Sequence, residues 1–154
     1  MPRPVFKPVL KRARIGTPGF SADTMLRFGN LLNNSIRDRF NAALDIYDNA
    51  AKPLSEGYAK YKQKGSFSGK RQFAPGEPIR NLRLTGQLQR SMKVLSASQN
   101  RTRLGFSDPV SDNRMTLNQR RSNMYGVSPK DEQVLMKTVR EYLFQVVKIT
   151  EESA

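Results

Sequence analysis

The chain contains no cysteine, no histidine and no tryptophan, and no apolar run long enough to cross a bilayer. Each absence closes a class of function. Without cysteine there is no disulfide and no thiolate nucleophile. Without cysteine or histidine the usual zinc ligand sets cannot form. Without histidine the commonest general base at neutral pH is missing. A membrane-spanning helix needs about 20 consecutive apolar residues, which the sequence nowhere supplies. The N-terminus is charged but has no apolar stretch behind it, unlike a secretory signal. The expectation is a protein that stays in the cytoplasm where it is made. Acid is scarce as well: 13 Asp and Glu stand against 27 Lys and Arg, for a net charge of +14.

That charge is unevenly placed. Residues 1–20 carry five cations and no acid, and residues 52–103 carry twelve cations and two acids. The other two stretches are close to neutral. A positive field of this kind attracts phosphate or an acidic protein surface, or serves only solubility. The 154 residues suit one domain. The hydrophobic fraction of 37% implies one modest core with arms or loops outside it.

Residues 1–20 hold Pro2, Pro4, Pro8 and Pro18 together with Gly16 and Gly19. Proline removes backbone donors and fixes extended geometry, so this stretch predicts an extended basic arm. Val5, Phe6, Val9, Leu10 and Ile15 make it too apolar for a pure spacer, and the arm is expected to fold onto a neighbour. A single α+β domain is expected over 21–150. Ser21 or Asp23 caps a first helix to about Asp48, on the 3–4 spacing of Met25, Phe28, Leu32, Ile36, Phe40, Ala43 and Tyr47. Pro53 opens a short basic helix ending at Gly65, with Leu54, Tyr58 and Tyr61 on one face. Those tyrosines are either core or a stacking surface for single-stranded nucleic acid. Gly65, Gly69, Pro75, Gly76 and Pro78 mark 65–79 as a long exposed loop. Its Gly69-Lys70 lacks the spacing of a phosphate-binding loop.

Leu84-Thr85-Gly86-Gln87-Leu88 reads as a helix cap and a short helical turn. Thr85 supplies a capping hydroxyl, and Leu88 and Met92 share a face. Met92–Ala97 and Thr102–Ser107 form an expected antiparallel hairpin around Gln99-Asn100-Arg101, closed by Asp108-Pro109. Residues 110–124 are weakly patterned and could be helical. Ser128-Pro129-Lys130-Asp131 is a helix start, with Ser as cap, Pro at the first position and Asp at the capping-box position. The last helix is expected from Pro129 to about Ile149, with Leu135, Val139, Tyr142 or Leu143, and Val146 as its apolar face.

No carboxylate is framed by a base, a nucleophile or a second carboxylate. Asp108 and Asp112 have an i, i+4 spacing open to a cation or to plain solvation. The residues point away from catalysis, toward binding without cofactor or metal.

The order of elements is more specific than any one motif. A long helix is followed by Leu84-Thr85-Gly86-x-Leu88-x-x-Ser91, a hairpin, an irregular stretch ending in Met124-Tyr125-Gly126-Val127-Ser128-Pro129-x-Asp131, and a last helix. Over roughly residues 22–148 this resembles the neck and tail-completion proteins of tailed bacteriophages, the virion morphogenesis family. Many relatives carry a Tyr-x-x-His-x-Gly segment and a Pro-Ala-Arg-x-Phe segment before the last helix. Here there is no His, and Arg121-Ser122-Asn123-Met124 stands in the second place. The resemblance implies an α+β fold: long N- and C-terminal helices on a small antiparallel sheet, with an extended arm. It implies a structural virion protein at the head–tail junction, assembled in the host cytoplasm as a sixfold or twelvefold ring. Expected partners are further copies, portal or adaptor and tail proteins, and packaged DNA as a nonspecific contact. The alternative is a sequence-nonspecific nucleic-acid-binding module built on the arm and residues 52–103. On either reading the partner-binding residues are expected among Arg3, Phe6, Lys7, Lys11, Arg12, Arg14, Lys62, Lys64, Lys70 and Arg71.

Overall fold

A computed structural model of the chain describes residues 20–66, 73–82 and 86–152. Among them are five helices and a two-stranded antiparallel sheet, an α+β fold. Helix α1 (Ala22–Asn41) starts where Ser21 Oγ accepts the N–H of Thr24 at 3.2 Å, an N-cap. Phe28, Leu32, Ile36 and Phe40 are buried along it. At 1.5 Å per residue it is about 30 Å long. It stops short of Asp48 because residues 42–51 form a turn with bonding of its own. Ala43 and Asp48 adopt left-handed φ of 53° and 60°. The Asp45 carboxylate accepts the N–H groups of Tyr47 and Asn49, and Ala51 N–H returns to the Ala43 carbonyl at 2.8 Å. Tyr47 is left in solvent rather than on the helical stripe.

After Gly86, whose φ of 73° suits glycine, α3 (Gln87–Ser91) leads directly into β1 (Met92–Ser98) and β2 (Arg101–Phe106). The expected Thr85 cap lies outside the described residues. Leu88 and Met92 are both buried. The register pairs Met92 with Phe106 and Val94 with Leu104. It then shifts by one, so that Ser96 faces Arg103 and Leu95 forms a bulge. Met92, Leu104 and Phe106 point inward, where they meet Leu32, Ile36, Phe40, Met115, Met124 and Tyr125 in the main core.

Helix α1 approaches this ribbon closely at Gly29. A Cβ there would lie 2.6 Å from Thr102 Oγ1 and 2.8 Å from Val94 Cγ2. Alanine in a helix is worth about 1 kcal/mol over glycine, but overpacking typically costs about 1–3 kcal/mol. Both obstructing side chains are β-branched and stiff. Gly29→Ala is therefore expected to lower stability, and Gly29→Val to lower it further, in urea melts. A stabilising Gly29→Ala would mean that α1 and the ribbon are not in contact there.

Helix α4 (Pro109–Gln119) is capped by Asp108, whose carboxylate accepts the Ser111 N–H at 2.8 Å. This cap is the observed use of a residue that might otherwise have paired with Asp112 around a cation. Among the described residues no cluster of three acids could hold a metal ion.

Helix α5 (Pro129–Glu152) packs along another side of α1. Phe20, Phe28 and Val139 form a second cluster there with Met25, Leu135 and Tyr142. Thr24 Oγ1 donates to the Tyr142 hydroxyl at 3.2 Å. Phe20 thus belongs to the body of the fold, which moves the end of the expected arm back to residue 19. Among the described residues no helix is long and apolar enough to cross a membrane.

Residues 52–66, including α2 (Glu56–Lys64), and residues 73–81 belong to an excursion tied at its base. Buried Arg80 donates from Nε to the Lys52 carbonyl at 2.5 Å and from Nη2 to the Pro53 carbonyl at 3.0 Å. Ser66 and Phe73 exchange backbone hydrogen bonds of 2.9 and 2.7 Å. Phe73 is buried edge-on against Tyr61, with ring centroids 5.1 Å apart. The expected exposed loop over 65–79 is therefore pinned at Phe73 and again at Arg80.

Candidate assembly surfaces

The Gly126–Asp131 motif is the best-built part of the molecule. Ser128 Oγ accepts the Asp131 N–H at 3.0 Å, and Asp131 Oδ2 accepts the Ser128 N–H at 2.8 Å. These two bonds are a reciprocal capping box, satisfying backbone donors that a helix start leaves open. The same carboxylate reaches across to α1. Arg39 Nη1 donates to Asp131 Oδ2 at 2.5 Å, Arg39 Nη2 donates to the Gly126 carbonyl at 2.5 Å, and Ser35 Oγ donates to Asp131 Oδ1. Both charged side chains are almost completely buried, at 4% and 2% exposure. Burial alone would raise the pKa of Asp131. The bonds from Ser35, from the Ser128 N–H and from Arg39 outweigh it and hold the carboxyl below its ordinary pKa. The node therefore locks the start of α5 to the last turn of α1. In the sequence, Asp131 showed only as a capping residue, and Arg39 only as one more cation.

Losing the cap alone should cost less than losing the ion pair. Ser128→Ala is expected to destabilise the fold by about 1 kcal/mol, the usual value for an N-cap hydroxyl. Chemical denaturation checks this. A larger effect on assembly at unchanged stability would instead make Ser128 a partner contact.

Two surfaces flank this framework. Along the outward side of α5 runs a shallow groove of about 620 Å³, lined by Pro129, Gln133, Met136, Lys137, Arg140 and Phe144. Phe144 is 73% exposed and Met136 47%. The helix runs on from Tyr142 to Glu152, about 15 Å of further helix. The second surface is the outer side of the ribbon, where Lys93, Leu95, Arg101 and Arg103 are exposed.

The expected partner-binding residues fare unevenly. Arg3, Phe6, Lys7, Lys11, Arg12, Arg14, Lys70 and Arg71 lie outside the described residues. Lys64 is exposed at the last position of α2. Lys62 is a correction. It is only 3% exposed, and its ammonium donates to the Ile79 carbonyl at 2.7 Å and to Asn81 Oδ1 at 2.5 Å. It braces the excursion from inside and is not a surface contact. Tyr58 and Tyr61 are each about 40% exposed and pack on one another, and Tyr61 also packs on Phe73.

Comparisons with protein-family models, with curated proteins and with solved structures found no match to this chain.

Proposed function

We propose that this protein is a structural component of a tailed-phage head–tail junction, a neck or tail-completion protein that works by self-assembly into a ring and by docking between head and tail. The observation that carries the reading is the outward face of α5. Phe144 and Met136 stand exposed along the capped helix, and Phe144 is the most exposed large apolar side chain among the described residues. A subunit in a closed ring must offer two different faces to its neighbours, and the outward face of α5 fits one of them. The arrangement of long helix, hairpin, Gly-Val-Ser-Pro-x-Asp helix start and last helix supports the same reading. On this account binding, not catalysis, is the activity. Portal or adaptor and tail proteins are the outer partners, and six or twelve copies close the ring.

The arm supplies the test. Its apolar residues Val5, Phe6, Val9 and Leu10, set among five cations, fit a segment that laces onto an adjacent copy. Deleting residues 2–19 leaves Phe20 and the second cluster in place. The expected result in sedimentation is a folded monomer from the deletion variant and a closed oligomer from the full chain. If the deletion variant loses cooperative melting, the arm is part of the core and the lacing role is wrong.

A further inference from the structure

We propose that the outer face of the β1–β2 ribbon is a docking surface for the phosphate backbone of B-form duplex DNA, independent of sequence. The register sets the geometry. Ser98 pairs with Arg101, Ser96 with Arg103 and Lys93 with Gly105. Inward-facing Leu104 and Phe106 fix the alternation, so Arg101, Arg103 and Lys93 occupy three successive outward levels. Two residues of strand advance about 6.8 Å, so the three charges step by that distance along the ribbon, with Lys93 one strand across from Arg101 and Arg103. Each step equals two charge intervals along one DNA strand, at about 3.4 Å of axis per phosphate. The bulge at Leu95 leaves these charges in place and sets which β1 residues lie beside Arg103 and Arg101. An in-register β1 would bring Leu95, not Ser96, opposite Arg103 and put every later β1 residue one step out of line.

The surface is also uncompensated. Gly105 lets Leu95 fold over the strand, since a Cβ there would meet Leu95 Cδ1 at 2.6 Å. Neither strand contains an acidic residue. Among the described residues Lys93, Arg101 and Arg103 have no ion-pair partner. Among the described residues no aromatic ring lies on this face to give single-stranded bases a stacking platform. A two-stranded ribbon fits the major groove of B-form DNA, about 12 Å wide, but not the deep, narrow groove of A-form RNA. Among the described residues the other polar side chains on the ribbon face are Ser96 and Ser98, with no Asn or Gln on either strand. Charge without base reading is the signature of nonspecific backbone binding.

The assembly reading gives such a surface a natural duplex, the DNA that passes through the junction, but the binding stands or falls on the free chain. The test is fluorescence anisotropy of the full chain with a labelled random-sequence duplex, titrated with salt. The wild type is expected to bind with Kd on the order of 10⁻⁴–10⁻⁶ M at physiological salt. The variant Lys93→Gln, Arg101→Gln, Arg103→Gln should lose about 2.7 from the slope of log K against log salt, at about 0.9 per phosphate contact. A control that removes the same charge elsewhere, Arg120→Gln, Arg121→Gln, Lys130→Gln, should keep most of the slope. Poly-glutamate at equal charge should compete poorly. Equal losses in the two variants, an unchanged ribbon variant, or poly-glutamate competing as well as DNA would each overturn the proposal. The last result would make the face a dock for acidic protein. Thermal melts show that each variant is folded, and a chain that forms no ring still passes or fails this test.

Discussion

Asp131→Ala is expected to lower the stability of the fold by about 3–5 kcal/mol, the range for removing one partner of a buried ion pair. The substitution strands Arg39, 4% exposed, without its carboxylate. It also removes the acceptor for Ser35 Oγ and for the Ser128 N–H. The Arg39 bond to the Gly126 carbonyl remains, so the guanidinium is not wholly unsatisfied. Replacing both partners, as in Arg39→Met with Asp131→Leu, should recover much of the loss, because the desolvation penalty disappears along with the attraction. The pH dependence has a definite sign. The folded-state pKa of Asp131 lies below its ordinary value, so the unfolded chain binds the proton more readily. The contribution of Asp131 is full above the unfolded value of about 3.9 and fades as pH falls through the lower folded value. Urea melts from neutral to acidic pH should show this fall in the wild type and a weaker one in Asp131→Asn. An Asp131→Ala variant within about 0.5 kcal/mol of wild type, the scale of an ordinary surface substitution, would show that α5 is not locked to α1 as described.

The second large effect concerns assembly rather than stability. Phe144→Arg is expected to abolish ring formation while leaving the monomer's melting transition nearly unchanged. Phe144 is 73% exposed and so contributes little to the folded monomer. In an interface, a central aromatic is the kind of residue whose removal costs 2 kcal/mol or more, roughly thirtyfold in each contact, and a ring multiplies that loss over every interface. Arg140 and Glu141 both lie within a turn of Phe144 on this surface, so the expected effect rests on lost burial and on the charge placed in the interface. Velocity sedimentation of the variant checks it. A variant that assembles like the wild type would remove α5 from the interface.

The hairpin could be read from the sequence to within one residue, because apolar alternation and the Gln99-Asn100 turn both act locally. The last helix could be read as well, since Ser128, Pro129 and Asp131 define its start by backbone chemistry alone. The same logic applied to Asp108-Pro109 would have found the start of α4. What was not legible depended on contacts distant in sequence. Lys62 looks like a surface lysine on a basic helix, and only the carbonyl of Ile79 and the side chain of Asn81 bring it inside. Arg39 follows the buried Ile36 by three residues and precedes Phe40, a position that hinted at burial, but its acid lies 92 residues away. Phe20 looked like the end of an arm until Phe28 and Tyr142 closed around it. The first helix stopped early because Asp45 offered the backbone a turn with hydrogen bonds of its own, which apolar spacing alone does not register.

The proposal that the chain is a ring-forming junction protein is tested most directly by imaging the purified full-length protein as single particles, with native mass measurement of the same sample. The account predicts closed rings of one copy number, six or twelve, with α5 of each subunit at a subunit boundary. A monodisperse monomer at every concentration up to the solubility limit would contradict it.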